Sequence, residues 1–540
     1  MKKALLSILA LGSIFGLMAC GKKTEKSTNK TTKNSTTTSS TTKVTTKKET
    51  TRKTTTAKKT TIDIPNDNLN YETDYQPIVS TTLPRIDINV VEGSLPEGQD
   101  PMDFVTKPNR ENKWDYTSCT VTVTDNGDTK INAKTAGVKV RGNWTTNYDK
   151  KPLRIKFDKK QSMLDLHGGD AYKSWLLLAE YKDWSMLRNS TAFYLAHLMD
   201  GNYVSDFRLV NVYINNNFWG VYLLCEQQEV KAGRIEISEA EELEDNVYYT
   251  GTDIGYFLEF DGYYYEEDPL QQFTVKYDGL VNYADNRIFT NFQKGFTIKS
   301  DIYSDDQKAF IKSYMQNVWN ICYNAIVRNT YYSFNEDYTS IALDSTIKNS
   351  YEAISKVIDV NSLVNTYLLA DIACDTDVAW SSFFMDVDFA ETGSKKLKFE
   401  APWDFDSSFG NTKGCIDGKG IYASNIITNA SNEDAANPWF MLFYRSEWFR
   451  DLVKDKFNNL KEKGMFDLVL NYITEVSDTY EADFASNYSK WNNIGHPETI
   501  GWETNSQSGN CHTQKEAANY LKNWLTVRLE NLDKLYNGLE

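Results

Sequence analysis

The spacing of apolar residues along this chain changes period once, and that change restricts the fold more than any single motif does. From Ile86 onward the apolar residues come in short β-type runs: Ile86 to Val91, Ser118 to Thr124, Ala136 to Val140, Leu153 to Phe157 and Trp175 to Ala179. Alternation is clearest where Leu153, Ile155 and Phe157 share one face and Arg154 and Lys156 the other, as in a half-buried strand with a basic outer face. Phe207 to Ile214 and Gly220 to Cys225 are joined through Asn215, Asn216 and Asn217. Asparagine tolerates positive φ, so this is a hairpin. A helix interrupts the strands, with Asp183 as its N-cap and Leu187, Tyr194, Leu195 and Leu198 at helical spacing until Gly201. Beyond Asp305 the helical period dominates, including Leu363 to Ala373 and a final helix marked by Ala517, Leu521, Trp524, Leu525 and Leu532. Strands first and helices afterwards predict an α+β protein of two lobes, with a ligand cleft between them.

The segment before this body has a different composition. Lys2 and Lys3 precede an apolar run from Ala4 that ends in Leu17, Met18 and Ala19, and Cys20 follows. The run is shorter than the roughly 20 apolar residues of an ordinary spanning helix. The order is that of a lipoprotein signal peptide over residues 1–19, cut before a lipidated Cys20. Acyl chains would then anchor the protein at the outer face of the cell membrane, an extracytoplasmic address. Residues 20–82 follow as a linker, and Gly21 to Thr61 is mostly Thr, Lys and Ser. With almost no apolar side chains nothing offsets the entropy of ordering, so a disordered tether is expected.

Charge and cysteine usage exclude several functions. Gly21 to Thr61 holds twelve Lys or Arg against Glu25 and Glu49, yet the whole chain carries −15, so the body is strongly acidic. That argues against nucleic acid, whose phosphates need clustered positive charge. Cys119, Cys225, Cys322, Cys374, Cys415 and Cys511 form no CxxC pair, and the four histidines are scattered. Zinc sites and His-based triads therefore have little material. Cys225 and Cys374 sit in apolar patterns and read as buried thiols, and no bridge is predicted.

Three polar clusters remain as candidate chemistry. Arg141, Gly142, Asn143 and Trp144 follow one strand and precede the strand of Arg154 and Lys156. Asp371, Asp375 and Asp377 leave an apolar helix and lead to Trp380, Ser381 and Ser382. Trp403, Asp404, Phe405, Asp406 and Phe409 enclose two acids among aromatics. Such acids are costly to bury unless a cation receives them, and a hydrated magnesium ion is a sensible partner.

These clusters, in this order, resemble the CotH kinase family, an atypical protein-kinase-like group named for a spore coat protein. The resemblance is carried by Val140-Arg141-Gly142-Asn143-Trp144, Lys151-Pro152-Leu153-Arg154-Ile155-Lys156, Leu187-Arg188-Asn189, Trp219 to Gln227, Trp403-Asp404-Phe405-Asp406 and Phe409-Gly410-Asn411. The helix around Trp524 to Arg528 is similar to the family's closing segment. The resemblance implies a strand-rich N-lobe over 83–231 and a helical C-lobe over 305–540, and the acidic, Tyr-rich stretch 232–304 between them reads as an intervening elaboration. It further implies ATP with Mg2+ or Mn2+ between the lobes and transfer of the γ-phosphoryl group to Ser or Thr hydroxyls of exported or envelope proteins. On that plan Lys156, or Arg154 in its place, holds phosphate oxygens, Arg141 and Asn143 cover the nucleotide, and Glu226 with Gln227 forms the hinge. Asp377 orients or deprotonates the acceptor hydroxyl, while Asp404, with Asp406, holds the metal. Ser381 and Ser382 stand where a kinase usually has a metal-binding Asn. The alternatives are an inactive or carbohydrate-binding module of the same fold, and a metal-dependent sugar-nucleotide transferase, since Asp404-x-Asp406 also fits a diphosphate-chelating pattern.

Overall fold

The computed structural model describes residues 73–539, apart from 92, 94–99, 108–114, 245–246, 416, 429–432 and 501–503. The expected signal peptide, Cys20 and the linker up to residue 72 lie outside the described residues. The fold is α+β. Seven strands come first: β1 (Arg85–Val90), β2 (Thr117–Asp125), β3 (Asp128–Val140), β4 (Leu153–Ser162), β5 (Ala171–Leu178), β6 (Phe207–Ile214) and β7 (Asn217–Glu226). They close into a barrel in the order β1-β2-β3-β4-β5-β7-β6. Every pairing in it is antiparallel except β1 with β6, which closes the ring in parallel. Closure removes the exposed edges that an open sheet would present.

Alternation explains how the barrel is filled. Leu153, Ile155 and Phe157 of β4 point into a core shared with Ile86, Val121, Val138, Trp175 and Val212. Each such residue, fully buried, contributes about 1.5–3 kcal/mol. On β5 both faces are apolar: Trp175 and Leu177 enter the barrel, whereas Leu176 and Leu178 enter a second, larger core shared with the helices. The same division holds on β7, with Tyr222 and Leu224 inside and Leu223 and Cys225 outside. A strand buried on both faces reads as a continuous apolar run, as Trp175 to Ala179 does. The turn between β6 and β7 has Asn215 at φ 48 and Asn216 at φ 63.

The helical half is built around Val360–Ala373, which is buried on nearly all sides. Glu447–Glu462 and the final helix Gln514–Asn537 pack on it, Met465–Thr479 packs on the final helix, and Asp305–Val327 contributes to the same apolar core. The stretch 232–304, read as an elaboration, supplies three strands of a five-stranded antiparallel sheet: Gln272–Phe273, Gly295–Ile298 and Gly255–Asp261. Gly255–Asp261 is the middle strand, and Phe383–Asp388 and Lys398–Glu400 complete the sheet on its other side. Residues before position 83 also belong to the body. Tyr75 donates to Asp206 at 2.6 Å and stacks on His197 at 3.7 Å, and Ser80 exchanges hydrogen bonds with Tyr480 at 2.8 and 2.9 Å.

Candidate functional site

A cleft of about 1660 Å³ opens between the barrel and the helical half. Its cationic wall comes from the barrel. Lys139 on β3 and Arg154 on β4 line it, together with the loop that connects these two strands. Arg141 donates its backbone N–H to the carbonyl of Pro152 at 3.0 Å, which closes the base of that loop. Gly142 has φ +92, and a Cβ there would lie 2.5 Å from Thr145 Oγ1, so the turn requires glycine. Lys151 ties the loop down by donating to the carbonyls of Tyr148 at 2.6 Å and Thr146 at 3.0 Å. The Arg141 guanidinium sits 5.3 Å from the centre of the Trp403 ring. Burial pushes it below its ordinary value, against the attraction of Asp404.

The floor of the cleft is the segment between β5 and the helix Arg188–Leu198. Glu180 is buried there and accepts both bonds of the Asn189 amide, at 3.0 and 3.2 Å. Burial, reinforced by Asp183, raises its carboxyl well above the usual range. The buried Lys150 ammonium donates to the Val221 carbonyl and lies 4.4 Å from the Tyr222 ring centre. Burial lowers it strongly, with Glu180 opposing. Asn189 also accepts from the backbone N–H of Phe405 at 2.8 Å, so one side chain links the floor to the two-aspartate segment. Lys182 donates to Ser407 Oγ, and its Nζ stands 3.6 Å from Asp406 Oδ1.

The acidic wall comes from the helical half. The helix Val360–Ala373 stops at Cys374, in the left-handed region at φ 47, and the chain turns into Asp375 and the single 3-10 turn Asp377–Ala379. Asp375 is 3 % exposed, accepts from the Asp377 N–H at 3.0 Å, and is pushed up to about 7 by burial and by Asp404. Asp404 takes the left-handed conformation at φ 66. Burial first, then the Asp406 and Asp377 carboxylates, raise its carboxyl well above the usual range, more than Lys182 and Arg141 offset. The final helix holds this wall in place. Trp524 packs on Gly410 and donates to the Cys415 carbonyl at 3.2 Å, and Arg528 bonds the Asp371 carbonyl at 2.6 and 3.2 Å. Asp371 is consumed in this clamp, accepting from the N–H groups of Tyr422 and Ala423 at 2.7 and 2.9 Å.

Of the residues singled out in the sequence, Arg141, Asn143, Gln227, Asp377, Asp404 and Asp406 all line this cleft. Lys156 and Glu226 are not brought into it. Lys156 lies exposed two residues further along β4, opposite Gly137, and the basic residue of that strand in the cleft is Arg154. Glu226 is 0 % exposed and is held by Arg234 at 3.2 Å, the Asp206 N–H at 3.0 Å and His167 at 3.4 Å. Gln227 and Gln228 line the cleft in its place. Ser381 and Ser382 reach the lining, and the Ser382 N–H donates to Glu259 at 3.1 Å. Sequence reasoning missed Glu180, Lys182 and Lys150 as site residues. The available signal was the charged run Glu180-Tyr181-Lys182-Asp183, placed where an apolar strand ends.

Among the described residues no three His, Cys, Asp or Glu side chains converge as a ready metal cage. Magnesium does not need one: one or two carboxylates suffice when phosphate oxygens and water complete its shell. Asp404 is lifted first by burial and then by the Asp406 and Asp377 carboxylates, and a divalent ion would relieve that crowding of negative charge, so Asp404 and Asp406 fit such a group.

A barrel and a helical body face each other across this cleft, with cations on one wall and aspartates on the other. The family model described as CotH kinase protein matches residues 138–532, and the chain belongs to that family. No match was found among curated proteins.

Proposed function

We propose that this protein is a two-lobed, surface-tethered kinase that transfers the γ-phosphoryl group of ATP to Ser or Thr hydroxyls of exported or envelope proteins. The observation that carries the reading is the opposition, across one cleft, of Arg141 and Arg154 to Asp377, Asp404 and Asp406. Phosphoryl transfer asks a protein mainly to position its reactants and to neutralise charge. Arg141 and Arg154 hold phosphate oxygens in this reading, and Gln227 and Gln228 lie where the strand-rich lobe passes into the helical one. Asp404 and Asp406 hold Mg2+ or Mn2+, which supplies charge neutralisation at the phosphates when bound. Asp377 orients the acceptor hydroxyl and takes its proton as the oxygen attacks phosphorus and ADP leaves. Attachment through lipidated Cys20 places this activity outside the cytoplasm.

The test is transfer of label from γ-labelled ATP, with Mg2+ or Mn2+, by the full chain to itself and to envelope extracts, beside Asp377→Asn and Asp404→Asn. Incorporation is expected in the parent and a loss of about 100-fold or more in either variant. No incorporation, together with no nucleotide-dependent rise in melting temperature, overturns the proposal. The anchor is tested separately by labelled palmitate, whose incorporation into cells expressing the protein should vanish in Cys20→Ala.

A further inference from the structure

Lys182 is the lysine in contact with the two-aspartate segment, and its surroundings constrain how it can move. It is 9 % exposed, lines the cleft, donates to Ser407 Oγ and stands 3.6 Å from Asp406 Oδ1. Both partners are pinned through their backbones by one residue. The Asn411 amide donates to the Asp406 carbonyl at 2.6 Å and to the Lys182 carbonyl at 3.3 Å, and its own oxygen accepts from Ser508 at 2.5 Å. Asn411 is 0 % exposed, so the pair can separate only by rotation of side chains. Lysine suits that: its compact charge rides on a flexible four-carbon stem. Two neighbouring cations are committed elsewhere, Lys150 to the Val221 carbonyl and Arg188 to Asp183 and the Ser408 carbonyl.

We propose that Lys182 serves two anions in turn: Asp406, to which it is paired here, and a phosphate oxygen of the nucleotide once a divalent ion is bound at the aspartates. The proposal rests on the phosphotransfer reading above. An ammonium and a dication on the same carboxylate repel one another, so Lys182 must leave Asp406 when the ion arrives. The strongest anion then within reach is the polyphosphate that enters with the ion. Until that point Lys182 opposes the mutual repulsion of Asp404 and Asp406, and afterwards it is already positioned beside the group to be transferred. A lysine that merely braces the loop would stay on Asp406 and Ser407 throughout.

The two roles separate in a Mn2+ titration of the full chain followed by electron paramagnetic resonance. Lys182→Gln keeps a donor for Ser407 but no charge, and is expected to bind Mn2+ alone about tenfold more tightly than the parent. It should bind ADP in the presence of Mn2+ about tenfold more weakly, while Lys182→Arg stays close to the parent in both. Mn2+ binding that is unchanged or weaker in the Gln variant, or ADP binding that is unchanged, overturns the proposal. The parent protein carries its own test should the variants not fold. Amine-reactive labelling of Lys182, read by mass spectrometry, should rise with Mn2+ alone and fall again when ADP is added, and labelling indifferent to Mn2+ overturns the exchange. These measurements need no turnover. Metal and ADP responses without phosphate transfer would therefore sink the kinase reading and leave the exchange standing, and the reverse result would sink the exchange alone.

Discussion

The barrel and the floor of the cleft are neighbours built from opposite materials. In the barrel, apolar side chains such as Val121, Leu153, Ile155 and Trp175 are fully buried on ordinary extended backbone. Around the cleft, Glu180, Asp375, Lys182 and Asp406 are buried as polar groups. The backbone there passes through the left-handed region at Glu180, Cys374, Ser382, Ala401, Asp404 and Phe409. Each such non-glycine position costs about 1–3 kcal/mol and persists only when its surroundings over-determine it. The barrel therefore supplies stability, and the cleft spends some of it to hold charges in a fixed arrangement. Mutations should divide accordingly, with fold lost on one side and chemistry on the other.

The largest effect expected is in the barrel. Trp175→Ala empties the centre of a closed core and should cost about 3–5 kcal/mol, read as a fall in the denaturant midpoint. A loss under about 1 kcal/mol would mean the barrel is not the stabilising half. Next come the aspartates, where the comparison predicts opposite signs for activity and stability. Asp377→Asn and Asp404→Asn should abolish label transfer, yet Asp404→Asn should melt at or above the parent temperature, because it removes a carboxyl lifted first by burial and then by the Asp406 and Asp377 carboxylates. A variant that lost both equally would place Asp404 among the structural residues.

Gly410 sits on the border of the two behaviours. A Cβ at its φ of +75 would come within 2.4 Å of the Trp524 ring, so Gly410→Ala should cost about 1–3 kcal/mol. The final helix would loosen from the two-aspartate segment, seen as faster amide exchange over residues 404–411.

The smallest effect concerns pH, where two histidines near Asp206 pull in opposite directions. Burial lowers His197 from 6.5 to about 4, so the unfolded chain takes up a proton that the folded one refuses. Its contribution is intact above about pH 6.5 and is lost as pH falls towards 4. His167 is raised by its bond to Glu226, so its contribution is full below 6.5 and fades as pH rises through the raised value. His197→Phe keeps a ring against Tyr75 and should flatten the acid side of the melting-temperature profile, leaving the neutral side as it was.

Local chemistry was enough to read much of this protein. The strands of the barrel, the asparagine hairpin, the helix Val360–Ala373 and the final helix follow from apolar period and turn chemistry, which act over a few residues, whereas Asp183, read as a cap, precedes the helix Arg188–Leu198 and binds the N–H groups of Leu187 and Arg188. The recognition of Asp404-Phe405-Asp406 as a candidate site is local too, because the cost of burying acids among aromatics is visible in a short window, whereas Asp377 is set apart from Asp371 and Asp375 only by the resemblance to the family. What the tertiary structure decided is which charged residue faces which partner. Alternation puts Arg154 and Lys156 on the same side of β4 but does not say how far along the strand the cleft extends, and only Arg154 reaches it. Glu226 ends a strand as a hinge residue would, yet Arg234 and His167 claim it from positions that no local rule connects. The sheet joining Gly255–Asp261 to Phe383–Asp388, and the pairing of Lys182 with Asp406, depend on contacts between distant parts of the chain. Periodicity and capping are properties of neighbours in sequence, whereas the partner of a buried charge is set by whichever element packing brings opposite it.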